Sequence, residues 1–159
     1  MIEPAISRPG AHVAASDCER IRQARIAQPV NTVSSLAYCA SGAWILSRGP
    51  RSGRRLSLAA VAIAAGLGSV AYHGPGGRAG RLVHDVTAAA LGGGIALALV
   101  RPPSNVARRS ATIGCLAAAI AIHAASRTDR ALCRPDSLWQ GHALWHVLGA
   151  AAVAMAAEP

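Results

Sequence analysis

Six polar side chains sit among apolar neighbours in this chain: Ser69 and His73, His84 and Asp85, and His142 and His146. Ser69 and His73 are four residues apart, as are His142 and His146. Four residues is about one helical turn, so each pair presents both side chains on one face and aims at one point. Three imidazoles with an open fourth position are what a hydrolytic zinc site needs, and a nearby carboxylate can orient or deprotonate the attacking water. An HxxxH pair alone on an apolar helix serves equally for packing, for an interior hydrogen bond or for haem ligation. The convergence of His73 and Asp85 with that pair turns the reading towards a metal.

These residues need a scaffold that brings three separate segments to one level. Apolar runs fall at about 30–47, 56–73, 82–100, 110–126 and 137–157, each near the roughly 20 residues an α-helix needs to cross a hydrocarbon core. Arg48-Gly49-Pro50, Gly74-Pro75-Gly76-Gly77, Arg101-Pro102-Pro103 and Arg134-Pro135-Asp136 punctuate them where helices must stop. The fold class expected is therefore all-α: an integral membrane bundle of about five transmembrane helices. A β-barrel is excluded because the runs lack period-two alternation. The connections are short, so consecutive helices run antiparallel. Helix two then ends, and helices three and five begin, on the side of the N-terminal arm. Asp136 or Ser137 is the expected cap of the last helix.

Intramembrane ionisable groups are costly and usually face the bundle interior. Adjacent helical residues point about 100° apart, so only one of His84 and Asp85 can face the centre squarely. Asp85 is assigned that face, with His84 as the alternative third ligand to His73. His12 in the arm reads as a solvated side chain. His123, with no ionisable neighbour one turn away, reads as a structural hydrogen-bonder.

Mean hydropathy is +0.33 and 14% of residues are charged, too apolar for an ordinary soluble domain of 159 residues. The net charge of +9 comes from sixteen Arg and no Lys. Arg48, Arg51, Arg54 and Arg55 form one cluster and Arg101, Arg108 and Arg109 another, both between apolar runs, which suits lipid headgroups and argues against nucleic acid. Those two loops hold seven Arg and no acid, whereas the opposite side has nine Arg and five acids, so the seven-Arg side is expected in the cytoplasm and the N-terminus outside. Residues 1–28 are polar and form an arm. No signal peptide is visible ahead of Pro29, so the first span is expected to serve as its own insertion signal.

Four stretches, in order, resemble the alkaline ceramidases, in the wider group of membrane hydrolases that includes the adiponectin-receptor-like proteins. They are Asp17-Cys18-Glu19; Asn31-Thr32-Val33-Ser34-Ser35-Leu36; Gly68-Ser69-Val70-Ala71-Tyr72-His73 followed by Asp85; and Gln140-Gly141-His142-Ala143-Leu144-Trp145-His146. The last is the most specific. The resemblance implies zinc on His73, His142 and His146, with Asp85 and Ser69 around the reacting water and carbonyl. It implies as substrate the amide of a sphingoid base and a fatty acid. The family has seven helices; five here means that a hairpin is missing between helix four and the last. Removing two helices keeps every other helix in its direction, so the site can survive. The lipid groove loses part of its wall, which homo-oligomerisation could rebuild.

The family's acidic arm resembles a calcium site, and Asp17 and Glu19 are hard oxygen ligands of the type calcium prefers. Gln28, however, stands where the family has another acid. Cys18 and Cys133 lie on the same, external side, where a disulfide can persist, and the family pattern has the same pairing. Cys39 and Cys115 fall within spans and read as small apolar packers. The resulting expectation is a membrane zinc hydrolase in which Asp85 takes the water's proton and Ser69 steadies the oxyanion. The rival is a non-catalytic small membrane bundle, or one whose histidines bind haem for electron transfer.

Overall fold

A computed structural model describes residues 13–49, 52–100 and 105–157. His12, Arg51, Arg101 and the loop prolines Pro50, Pro102 and Pro103 lie outside the described residues. A short 3-10 turn, Ala15–Asp17, precedes five α-helices: α1 (Pro29–Ser47), α2 (Gly53–His73), α3 (Gly77–Val100), α4 (Val106–Ala125) and α5 (Gly141–Ala157). Among the described residues there is no strand. α2 and α3 are each long and apolar enough to cross a membrane; α5 is apolar but shorter.

The helices start earlier than hydropathy indicates, except the last, which starts four residues later than 137. Capping chemistry sets these ends. Ser52 Oγ accepts from the backbone N–H of Arg55 at 3.3 Å, and Asn105 Oδ1 accepts from that of Arg108 at 2.9 Å, so α2 and α4 begin among their arginines. The α1 start is capped from a distance: both carboxylate oxygens of Glu19 accept backbone N–H groups, from Val30 and Asn31, each at 2.8 Å. A carboxylate there also faces the positive end of the helix dipole. Before α5, Ser137 does not cap the helix: its Oγ accepts from Trp139 N–H within a turn. Asp136 is taken up by Arg20.

In lateral order the helices run α3, α2, α1, α5, α4, and lesser contacts of α5 with α2 and α3 bend the row around an interior. The α1–α2 contact is made backbone to backbone. A Cβ added at Gly42 would lie 2.8 Å from the Ala59 carbonyl oxygen, and one at Gly66 would lie 3.0 Å from the Cys39 amide nitrogen. Small residues of this kind let helices approach where lipid removes the hydrophobic drive to associate. Ala59, Ala62, Ala65, Ala150 and Val153 continue this seam, filled out by Tyr38, Ile45, Leu58 and Leu91. α3, by contrast, buries only Gly80, Leu91 and Ile95.

The arm lies across one end. Cys18 and Cys133 form a disulfide, which ties it to the α4–α5 connection. Arg20 N–H donates to Pro135 O at 3.0 Å, and the Arg20 guanidinium makes a paired contact with Asp136 at 2.6 Å. Ala27 N–H and Gln28 N–H donate to Gly74 O and His73 O, at 2.8 and 2.9 Å. The strap therefore touches the ends of α1, α2 and α5, where the histidines lie.

Candidate metal centre

His73 is the last residue of α2, and His142 and His146 occupy the first two turns of α5. Antiparallel packing brings the three to one level, all buried, with a ligand nitrogen from each within 4.8 Å of the others. Ring centroids are 5.0 Å apart for His73 and His142, 5.4 Å for His73 and His146, and 4.7 Å for His142 and His146.

The surrounding hydrogen bonds decide which nitrogens face inward. Gln28 Nε2 donates to the Glu19 carbonyl at 2.9 Å, which orients Gln28 Oε1 towards His73 Nδ1, 2.7 Å away. That oxygen can only accept, so His73 carries its proton on Nδ1 and keeps the Nε2 lone pair. Ser34 Oγ donates to Asn31 O at 3.1 Å and therefore accepts from His146 Nδ1 at 2.9 Å. Asp17 Oδ1 faces His142 Nδ1 at 3.9 Å. His73 and His146 are thus held at Nδ1 by hydrogen-bonding oxygens, while His142 has a carboxylate facing its Nδ1 beyond hydrogen-bond distance, and this leaves Nε2 of each ring as the nitrogen free for a ligand role. His73 Nε2 and His142 Nε2 are buried with no hydrogen-bond partner, and His146 Nε2 has only Ser69 Oγ, at 3.5 Å.

Buried nitrogen acceptors without donors carry a desolvation cost that a cation removes. The donor set fits a first-row metal: three imidazoles, two of them oriented by a hydrogen-bonded outer oxygen as metal-ligating histidines are, and the third facing a carboxylate. At zinc–nitrogen distances of about 2.0–2.1 Å the three would close from within 4.8 Å to roughly 3.3 Å of one another, a contraction of up to about 1.5 Å within three rings on two helices. A three-histidine group that could hold a metal ion is therefore present.

The remaining expected residues divide. Ser69 stands beside His146, with Ser35 Oγ 2.8 Å from its hydroxyl. The inner face of α3 belongs to His84, not Asp85. The His84 ring lies 5.9 Å from that of His73, while the Asp85 side chain is 59% exposed. Asp85 Oδ1 lies 2.9 Å from His84 Nδ1, and Oδ2 is 3.7 Å from Arg81 Nε one turn back. α3 presents the face of Leu91 and Ile95 to the bundle; His84 is two turns from Leu91 along that stripe, and Asp85 is rotated off it.

Among the described residues, Asp17 and Glu19 do not converge on an oxygen cage for calcium: Glu19 spends both carboxylate oxygens on the α1 start, Asp17 turns to His142, and the described residues hold no metal-binding group of three or more ligands other than the three histidines. Gln28 orients His73.

His123, expected from the sequence to be a structural hydrogen-bonder away from the site, lies beside the histidine group. It lies near the end of α4, its ring 5.1 Å from that of His142 and 5.1 Å from that of Trp145, with Nδ1 buried and unpartnered. Two antiparallel helices joined by a short connection put the end of one level with the start of the next, and that was the available signal.

A cavity of about 310 Å³ leads away from Ser69, His84 and His146. Leu91, Ile95 and Leu99 of α3 line it on one side, Leu116 and Ile120 of α4 on another, and Tyr38 and Trp145 also contribute. From His84 to Leu99 it follows α3 for roughly 22 Å at 1.5 Å per residue. No family model, no curated protein and no solved structure matches this chain.

Proposed function

We propose that the chain is a membrane-embedded, zinc-dependent amide hydrolase of the alkaline-ceramidase kind, cleaving ceramide or a related lipid amide to a fatty acid and an amine base. The observation that carries this reading is the inward convergence of three buried Nε2 atoms whose Nδ1 sides all face oxygens. A zinc ion held there would acidify water towards neutrality and polarise a carbonyl.

The chain's own residues supply the rest. Ser69, beside His146, is placed to donate its hydroxyl hydrogen to the oxygen of the reacting carbonyl. Asp85 acts at one remove: it holds His84 Nδ1, and the His84 ring, lining the cavity, receives the proton from the attacking water and returns it to the leaving amine. The apolar cavity starting at these groups is long and narrow enough to favour a hydrocarbon chain, which is why a lipid amide is preferred to a peptide.

Membrane placement of the whole bundle belongs to the same proposal. α2 and α3 are sufficient by length and composition, and Trp139, 90% exposed beside an exposed Leu138, fits an interfacial anchor. The disulfide favours an oxidising side for the histidine end, and the Arg-rich loops favour the cytoplasm for the other.

The test is metal analysis of detergent-purified protein, paired with release of fatty acid from a short-chain ceramide. The expected result is one colourless zinc per chain, abolished together with hydrolysis in His142→Ala and His146→Ala. A Soret band in place of zinc would establish the haem-binding rival. A zinc-loaded protein inert towards ceramide and other lipid amides would remove the hydrolase.

A further inference from the structure

The end of the molecule away from the histidines carries a second cleft, of about 360 Å³, between the start of α2 and the end of α3. Arg54 and Ser57 supply its polar lining, and Leu58, Val61, Leu97 and Ala98 its apolar walls. Gly94 keeps it open: a Cβ there would come within 3.2 Å of Leu58 Cδ2 and 3.7 Å of Val61 Cγ2. The positions on α2 follow i, i+3, i+4, i+7, so one helical face builds the wall.

Arg54 is incompletely served. Its Nη2 donates to the Ala156 carbonyl at the end of α5, but its Nε is buried without a hydrogen-bond partner. Neighbouring Arg55 differs, spending its guanidinium on the carbonyls of Ile45, Arg48 and Ala157. No carboxylate among the described residues forms an ion pair with Arg54, and loops 48–55 and 101–109 contain no acid. Arg54 thus brings to the lining of an otherwise apolar cleft a guanidinium with one unserved N–H and no counter-ion among the described residues, which calls for an anionic acceptor that also brings hydrocarbon.

We propose that this cleft binds one anionic glycerophospholipid, its phosphate accepting from the Arg54 guanidinium and the Ser57 hydroxyl and one acyl chain lying between α2 and α3. A soluble anion would leave the apolar walls unfilled. A zwitterionic headgroup would bring a second positive charge into an arginine cluster. The inference rests on α2 and α3 lying in a bilayer, and it is independent of any chemistry at the histidines.

The experiment is native mass spectrometry of the full chain after equilibration with equimolar phosphatidylglycerol and phosphatidylcholine. One phosphatidylglycerol per chain is expected to be retained in preference. Arg54→Gln should weaken retention by roughly five- to tenfold, the order expected for one arginine at a lipid phosphate. Gly94→Leu, which leaves every charge in place and fills the cleft, should do the same, whereas Arg109→Gln, outside it, should not. Helix content and thermal unfolding of each variant identify folding defects, and Ser57→Ala, at an exposed hydroxyl, provides a milder second probe with a smaller loss in the same direction. Equal retention of the two lipids, or wild-type retention in both Arg54→Gln and Gly94→Leu, would overturn the proposal. So would displacement of the lipid by inorganic phosphate at equal concentration, which would make the site one for a free anion, or an equal loss in Arg109→Gln, which would make the attraction diffuse.

Discussion

The two ends of this bundle use polar side chains in opposite ways. At the arginine end, Arg55 spends its donors on backbone carbonyls of α1 and α5, so charge is consumed in closing helices. At the histidine end the closing is done by others: Glu19 caps α1, while Gln28 and Ser34 hold the Nδ1 sides of His73 and His146. That leaves buried acceptors without donors facing one another. A stable helical bundle needs the first arrangement; the second is a cost that folding alone does not require, and it marks the end where chemistry is expected.

Substitutions can break this contrast from either side. The largest effect is expected from His73→Ala, which should remove zinc and lower amide hydrolysis by at least about 10³-fold, read by metal analysis and turnover. Retained zinc with full turnover would show that α2 contributes no ligand. At the other end, Arg55→Met should destabilise by on the order of 3 kcal/mol, because several carbonyls lose their donor, yet leave zinc stoichiometry at wild type. Thermal unfolding and metal analysis read the two quantities separately. Next comes Gln28→Leu, which keeps every ligand and removes only the oxygen that orients His73. Zinc affinity measured by chelator competition should fall about 10–100-fold. An unchanged affinity would mean that the orientation of the ring does not depend on Gln28.

The smallest effect is at the exposed strap. Arg20 holds the Asp136 carboxyl below the usual carboxylate range through hydrogen bonding and charge. A group with a depressed folded pKa contributes stability that is present above its unfolded value, near 4, and is lost as pH falls through the folded value. Asp136→Asn should therefore lower the melting temperature slightly at neutral pH, and the difference from wild type should vanish in strong acid and shrink with salt. A difference that persists at low pH would assign the effect to something other than the ion pair.

The helices and the level at which the histidines meet were legible because hydropathy, Pro and Gly punctuation and four-residue spacing act locally. The His142–His146 pair with His73 follows from helix direction alone. The inner face of α3 was not legible: His84 and Asp85 are adjacent, and the choice between them depends on rotation about the helix axis, fixed by Leu91 and Ile95 further along. Likewise Asp17 and Glu19 are typical hard-cation ligands by type. Their actual partners, a histidine on α5 and the start of α1, are set by how the strap crosses the bundle, which no local pattern encodes. The place of His123 beside the site was hidden for the same reason, since its ring neighbours are on α5 and not on its own helix.

One covalent link has reach beyond holding the arm down. Asp17 and Glu19 flank Cys18, so the carboxylate facing His142 and the one capping the helix that carries Ser34 both depend on where that cysteine is fastened. Opening the bond would loosen the outer supports of two of the three histidines at once, without touching a ligand. On the proposed metal-centre reading, occupancy of the three-histidine group would be tied to thiol redox state, and a protein newly made under reducing conditions would bind an ion weakly until the strap is oxidised into place.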